Sequence, residues 1–253
     1  MSPAPEIRIL ALGAFPEVTP GMDLHALITA AATDVELSFA PGDILVVTQK
    51  IVSKAEGALV DLRTIEPSDL AVRWAAAWDK DPRQIEVVLR ESKRIVRMAN
   101  GIIISETHHG FVCANAGVDA SNVAGHDTVS LLPRDSDASA ARLRATLSAE
   151  LGFDLPVIIS DSFGRAWRHG IINVAVGLSG LGAVADYRGR TDAHGYLLNA
   201  SILAVADELA AAAELIMGKL DGRPVAVIRG YAYEPGEGSA RDLLMDPARD
   251  LFR

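Results

Sequence analysis

The chain has 253 residues, of which 49% are hydrophobic and 23% charged, which suits one large or two small folded domains and excludes a disordered chain. Its 24 Lys and Arg against 33 Asp and Glu give a net charge of −9, and with no basic block the composition argues against a nucleic-acid binder. One cysteine, Cys113, cannot form an internal disulfide, so the fold rests on its core and a reducing cytoplasm is expected.

The N-terminus, "MSPAPEIRILALGAF", lacks the basic-then-apolar pattern of a signal peptide. Within it "IRILALGAF" reads as a strand ended by Pro16. "MDLHALITAAAT" has helical spacing, with Leu24, Leu27 and Ile28 on one face. Pro41-Gly42-Asp43 make a turn into a buried strand at Ile44–Val47, followed by polar Thr48, Gln49 and Lys50. Residues 67–79 read as a helix, in which Trp74 and Trp78 would share one buried face. "RQIEVVLRESKRIVRM" reads as a second helix that passes into a strand at Ile95. "GIIISET" and "GFVCANAGVDASN" read as a hairpin closed by His108-His109-Gly110. "ASAARLRATLSAELG" is an amphipathic helix capped by Gly152. "LPVIIS" is a buried strand, and the glycine-rich "INVAVGLSGLGAVADY" implies tight backbone packing. That apolar stretch is too short and too glycine-rich for a membrane span. A long alanine-rich helix, "SILAVADELAAAAELIMGK", a core strand, "RPVAVIRGY", and a short helix at "EGSARDLL" follow. Strands and helices mix without a regular βαβ period, a repeat or a linker. The expected fold class is therefore α+β with irregular mixed sheets, and residues 1–253 read as one module.

"SDSFGRAWRHG", Ser160–Gly170, directly follows a buried strand. An acid at a strand end is a frequent hard-metal ligand, because the strand fixes it and the loop leaves it open. The competing reading is a helix N-cap at Asp161 or Ser162. Arg165 and Arg168, three apart, shift the balance towards an anion site, since guanidinium groups bind phosphate or carboxylate bidentately. In "NAGVDASN" Asp119, Ser121 and Asn122 project small oxygen ligands, although the same residues also favour a plain Asx turn. Lys50 and Lys54, four apart, repel one another on a helix unless an anion lies between them; otherwise they are two solvated lysines. They do not belong to a GxxxxGK[ST] loop. "MGKLDGRP" and "EPGEGS" are loops that could wrap a phosphate or a base. Adjacent His108 and His109 would point to opposite faces of a strand, which argues against a shared metal ion. Cys113 lacks a base partner and reads as a small core residue.

"GDILVVTQKIVSKAEG", "VCANAGVDASNV", "VIISDSFGRAWRHG" and "PVAVIRGY…EGSARDLL" together resemble the coenzyme F-420-0:L-glutamate ligase (F-420 gamma-glutamyl ligase) family, in the family's order, from about Ile7 to Arg253. The resemblance implies the family's unusual α+β fold as an intertwined homodimer. It implies a ligase that uses GTP to join L-glutamate, once or repeatedly, to the phospholactyl carboxylate of the deazaflavin precursor F-420-0. It further implies Mg²⁺ or Mn²⁺, two ions in all, and a monovalent cation such as K⁺. By motif, Asp119 and Asp161 match the family's divalent-metal ligands, and Ser162 stands where the family often has Thr at a second ion. Gly13, Ala14, Phe15 and Pro16 match an N-terminal loop that touches the nucleotide. Gln49, Lys50, Lys54 and Asn122 match nucleotide-contacting positions. Met217, Gly218 and Lys219 match a nucleotide-binding loop in which some relatives carry Glu where this chain has Lys219. Some relatives append a flavin-reductase-like C-terminal domain, which is not expected after "DLFR". Arg165 and Arg168 are expected, from their chemistry, to hold carboxylate or phosphate groups, which would make Ser160–Gly170 the floor of the site. Competing readings are a metal-dependent nucleotide hydrolase or kinase, and a non-catalytic deazaflavin-binding module.

Overall fold

The apolar runs "ILVV", "PVII" and "PVAVI" lie side by side at the centre of one sheet. The computed structural model describes residues 4–120 and 127–250. Along the chain the strands and helices are β1 (Arg8–Ala11), α1 (Leu24–Asp34), β2 (Ile44–Thr48), α2 (Gln49–Ala55), β3 (Leu59–Asp61), α3 (Asp69–Trp78), α4 (Pro82–Arg90) and β4 (Ser92–Ala99). They continue as β5 (Ile102–Thr107), β6 (Val112–Ala114), β7 (Thr128–Ser130), α5 (Ser136–Leu151), β8 (Val157–Arg165) and β9 (Arg168–Leu181). The last are β10 (Ala185–Asp186), β11 (Ile202–Leu203), α6 (Val205–Met217), β12 (Val225–Arg229) and β13 (Pro235–Gly236).

The six-stranded sheet has the order β1-β12-β2-β8-β9-β13. Only β2 and β8 are parallel, in register from Leu45 opposite Val157 to Thr48 opposite Ser160. Ile44, Leu45, Val46, Val47, Val157, Ile158 and Ile159 are fully buried. Burial on both faces explains why these strands read as unbroken apolar runs. Each such side chain contributes roughly 1.5–3 kcal/mol of transfer free energy. α5 packs on β8 and β9, and α6 on β9, β12 and β1. A second, smaller hydrophobic cluster joins α3 and α4 to the three-stranded sheet β4-β5-β6. The architecture is thus mixed α and β with one large sheet and several small ones. Among the described residues no helix is long and apolar enough to cross a membrane.

Between Asn173 and Leu178 the outer edge of β9 is satisfied by carboxylates, before β13 pairs with it at Gly180 and Leu181. The Asn173, Ala175 and Leu178 N–H groups donate to Glu214 Oε2, Asp207 Oδ1 and Asp137 Oδ1, each at 2.9 Å. Three acids in the sequence of two helices therefore close backbone donors that would otherwise be unmade. Burial raises the Asp207 carboxyl, against the opposing effect of the Ala175 N–H. At Gly177 a Cβ would lie 2.5 Å from the Ser136 backbone, so α5 meets β9 backbone to backbone.

Three expectations need correction. The helix expected to pass into a strand at Ile95 stops at Arg90, and the strand starts already at Ser92. The Ser92 hydroxyl donates to Val88 O at 2.6 Å, closing the helix as the chain enters pairing with Thr107. Trp78 is not buried with Trp74 but is 41% exposed, its ring centroid 5.9 Å from that of Trp74. It is the last residue of α3, and Asp79 turns the chain away in the left-handed region at φ 51°. Most consequentially, the strand after "LPVII" does not end at Ser160. It runs on to Arg165, where Ala166 and Trp167 turn it into β9.

Candidate functional site

β2 and β8, the parallel pair, end side by side, and the crevice beyond the carboxyl ends of parallel strands is where such sheets place ligands. After Thr48 the backbone passes at once into α2, so Gln49 and Lys50 stand beside Ser160 and Asp161. A cleft of about 790 Å³ opens here. Its walls are the loop Phe15–Val18, the start of α2, residues 117–119 after β6, Ser160–Ser162 of β8, Asn173 of β9 and the loop after α6.

Of the residues expected at the site, Phe15, Pro16, Gln49, Lys50, Lys54, Asp119, Asp161, Ser162, Met217, Gly218 and Lys219 all line this cleft. Gly13 and Ala14 do not; Gly13 instead donates its N–H to Ala31 O at 3.1 Å, anchoring the loop whose next residues face the cleft. Asn122 lies outside the described residues. Arg165 and Arg168 are not among the lining residues. Because β8 continues past Asp161, they pair with each other at the tip of the β8–β9 hairpin. Ser160–Gly170 is therefore a hairpin arm, of which Ser160, Asp161, Ser162 and no later residue line the cleft. The two histidines lie in the turn after β5 rather than on a strand and bond separate carbonyls, His108 with Arg90 O and His109 with Pro133 O.

The cleft is charged on both sides. Lys50 Nζ lies 2.7 Å from Asp119 Oδ2, and Lys54 Nζ 2.6 Å from Glu17 Oε1. The Lys54 side chain is only 6% exposed and rises through the buried polar residues Gln49 and Ser53, which bond each other at 2.7 Å. Burial pushes the Asp161 carboxyl up to about 6, and the neighbouring Asp119 charge adds to it. The Ser162 N–H, the Gln49 amide and the Lys50 charge act in the opposite direction. Burial also pushes the Cys113 thiol up to about 12, with the Asp161 charge adding to it, which suits an inert core residue.

Among the described residues no group of three or more His, Cys, Asp and Glu is placed to hold a metal ion. The candidate is the pair Asp119 and Asp161, close enough for each charge to be felt by the other. The Ser160 hydroxyl, fully buried in the cleft wall, has no hydrogen-bond partner among the described residues. A hard cation such as Mg²⁺ is usually held by one or two carboxylates together with substrate phosphates and water, so this donor set fits such an ion.

Sequence reading missed Glu17, Asn173, Glu214 and Arg223. Asn173 and Glu214 are 41 residues apart and meet only because α6 packs on β9. A lone acid within "LAAAAELIM" was the one available signal for Glu214.

A sequence model of the F420-0:Gamma-glutamyl ligase family matches residues 13–230. That span covers both walls of the cleft. The chain belongs to this family. Coenzyme F420:L-glutamate ligase of Methanothermobacter thermautotrophicus is 43% identical over 250 residues, covering 98% of this chain and 99% of that protein. The enzyme of the same name from Methanopyrus kandleri is 45% identical over 258 residues, covering all of both chains. That from Methanocaldococcus jannaschii is 42% identical over 213 residues, 84% of this chain and 85% of its own length.

Proposed function

We propose that this chain is a GTP-dependent ligase that joins L-glutamate to the phospholactyl carboxylate of F-420-0, forming GDP and phosphate. Three things support the reading: family membership, relatives named for ligating L-glutamate to this coenzyme, and one cleft that brings together Asp119, Asp161, Lys50 and Lys54. The juxtaposition of the acid pair with the lysines carries it. A carboxylate is a poor electrophile. Transfer of the γ-phosphoryl group to the acceptor carboxylate gives an acyl phosphate, the glutamate amine attacks its carbonyl carbon, and phosphate leaves. Lys50, Lys54 and Arg223 line the cleft and are positioned to neutralise phosphate oxygens; we assign to them the anion-holding role expected of Arg165 and Arg168. Asp119 and Asp161 would hold Mg²⁺ or Mn²⁺, which offsets charge on the nucleotide phosphates. Phe15, Pro16 and the loop from Met217 would close over the nucleotide. The Phe15 N–H donates to Gly222 O at 3.0 Å, which joins the two loops into one wall.

We also propose a cytoplasmic homodimer. Exposed apolar side chains on the β8–β9 hairpin and the β10–β11 arm, among them Trp167 at 81% and Tyr196 at 65%, support a covered surface there. Light scattering at micromolar concentration checks it, and a 26.8 kDa particle would refute it. The ligase reading itself is tested by nucleotide turnover. GDP should form only when acceptor and L-glutamate are both present. GDP formation from GTP alone would make the protein a hydrolase, and phosphoryl transfer that stops at the acceptor would make it a kinase.

A further inference from the structure

The loop after α6 places an ammonium group against a set of oxygens whose hydrogens all point elsewhere. Ser162 donates its hydroxyl proton to Asn173 Oδ1 at 2.7 Å, which leaves the Ser162 lone pairs facing the cleft. The Asn173 backbone N–H donates to Glu214 Oε2 at 2.9 Å, which leaves Glu214 Oε1 facing the same point. Asn173 is 3% exposed and the Glu214 side chain 19%, so these oxygens are held largely out of solvent. Lone pairs aimed at one spot beside a carboxylate form a cation site by their chemistry. The group that fills it is the chain's own: Lys219 Nζ lies 2.7 Å from Glu214 Oε1 and donates to Ser162 Oγ.

The backbone is built to deliver it. α6 ends at Met217, and its capping residue Gly218 has a positive φ of 61°; a Cβ there would lie 2.4 Å from Asp221 Oδ2. The turn folds Lys219 back over the last turn of its own helix, where the exposed carbonyls favour a positive charge. Glu214 carries one negative charge and Ser162 none, so a single positive charge balances the site and a divalent ion would leave a surplus.

We infer that Lys219 is a tethered monovalent cation, its ammonium filling an oxygen-lined site, next to Asp161, that a free potassium ion would otherwise take. An ammonium group and K⁺ are similar in size and charge, so one can replace the other on the same oxygens. Ser162 is then a ligand to the chain's own lysine rather than to a second metal ion, and the K⁺ dependence implied by the resemblance is not needed in this chain. The consequence for turnover rests on the ligase reading; the cation site itself does not.

The test uses thallium(I), a K⁺ mimic visible by anomalous diffraction, soaked into crystals of the wild-type chain and of Lys219→Met and Lys219→Gln. Lys219 is half exposed, so both variants are expected to fold. The expected result is no thallium between Ser162 and Glu214 in the wild type and an ion there in both variants. In parallel, thermal unfolding in KCl and in choline chloride at equal ionic strength should coincide for the wild type and differ for the variants, with K⁺ stabilising. Thallium at that position in the wild type, or at that position in neither variant, overturns the inference. Because diffraction reads the ion without turnover, a failure of the ligase reading would leave this result standing. If the ligase reading holds, wild-type turnover should be unchanged when K⁺ is replaced by choline, and turnover of Lys219→Met should recover at least severalfold on adding K⁺.

Discussion

Lys50 Nζ lies 2.7 Å from Asp119 Oδ2, an ion pair that ties the candidate nucleotide wall to the candidate metal ligand. A cation arriving between Asp119 and Asp161 must displace the ammonium, which is then left to pair with a phosphate. Lys50→Met should therefore have effects of opposite sign. Without nucleotide, Mn²⁺ should bind about 1.4- to fivefold more tightly, the range of a partly exposed ion pair of roughly 0.2–1 kcal/mol. GTP affinity with Mn²⁺ present should fall roughly tenfold to a hundredfold, as for the loss of one charge-assisted bond of about 1.5–3 kcal/mol. Calorimetry measures both. Changes of the same sign would mean that Lys50 and Asp119 do not exchange partners.

Asp161→Asn should change how stability depends on pH. The folded carboxyl is raised from 3.8 to about 6, so the folded chain holds this proton more tightly than the unfolded chain. The stability gained is fully present below about pH 4 and is lost as pH rises through about 6. Asn cannot ionise. In a chelator, the variant should match the wild type near pH 4 and exceed it above pH 7 by up to about 3 kcal/mol. Urea unfolding at the two pH values checks this, and parallel pH profiles would contradict it. Metal affinity should move the other way: in the wild type it should rise with pH through about 6, and in Asp161→Asn it should be largely lost along with turnover.

Lys54→Ala should weaken GTP binding more than it raises the KM for glutamate. The Lys54 ammonium lies on the cleft, yet its stem is buried, and its partner Glu17 is 58% exposed and so able to release it. A loss of roughly tenfold to a hundredfold in GTP affinity is expected. Glu17→Gln removes the competitor and should leave GTP affinity equal or better. Equal losses on both substrates in Lys54→Ala would return the residue to a purely structural role.

Gly177→Ala should destabilise the fold by about 1–3 kcal/mol or more, because the new methyl meets the Ser136 backbone, which cannot rotate away. Gly164→Ala is the control. Nothing lies within 4 Å of its Cβ position, and its φ is not positive, so it should stay within about 0.5 kcal/mol. Urea midpoints of the two variants decide, and equal midpoints would refute the close approach of α5 to β9.

The core strands were legible because they are buried on both faces, which makes "ILVV", "PVII" and "VAVI" continuous apolar runs. The Gly152 cap and the His108–Gly110 hairpin were legible from turn chemistry. The continuation of β8 was not, for a physical reason. Beyond Ser160 the strand leaves the core, so its apolar signal stops while its pairing with β9 goes on to Arg165 and Arg168. Its turn also lacks the usual sign: Trp167 takes φ 56°, a place where Gly or Asn would have marked the reversal. Of the cleft residues, Asp119 and Asp161 were legible as acids after apolar strands, and Lys50 and Lys54 as like charges four apart. Glu214 and Asn173 were not found, because nothing local in the sequence says that α6 lies across β9.

The central claim is glutamate ligation in this cleft. Its most direct test is mass spectrometry of F-420-0 incubated with the protein, GTP, Mn²⁺ and L-glutamate, with GDP quantified in the same samples. The expected result is F-420-0 extended by glutamate, one GDP formed per glutamate added, and neither product with Asp119→Asn or Asp161→Asn. GDP accumulating in the wild-type reaction while F-420-0 stays unextended would contradict it.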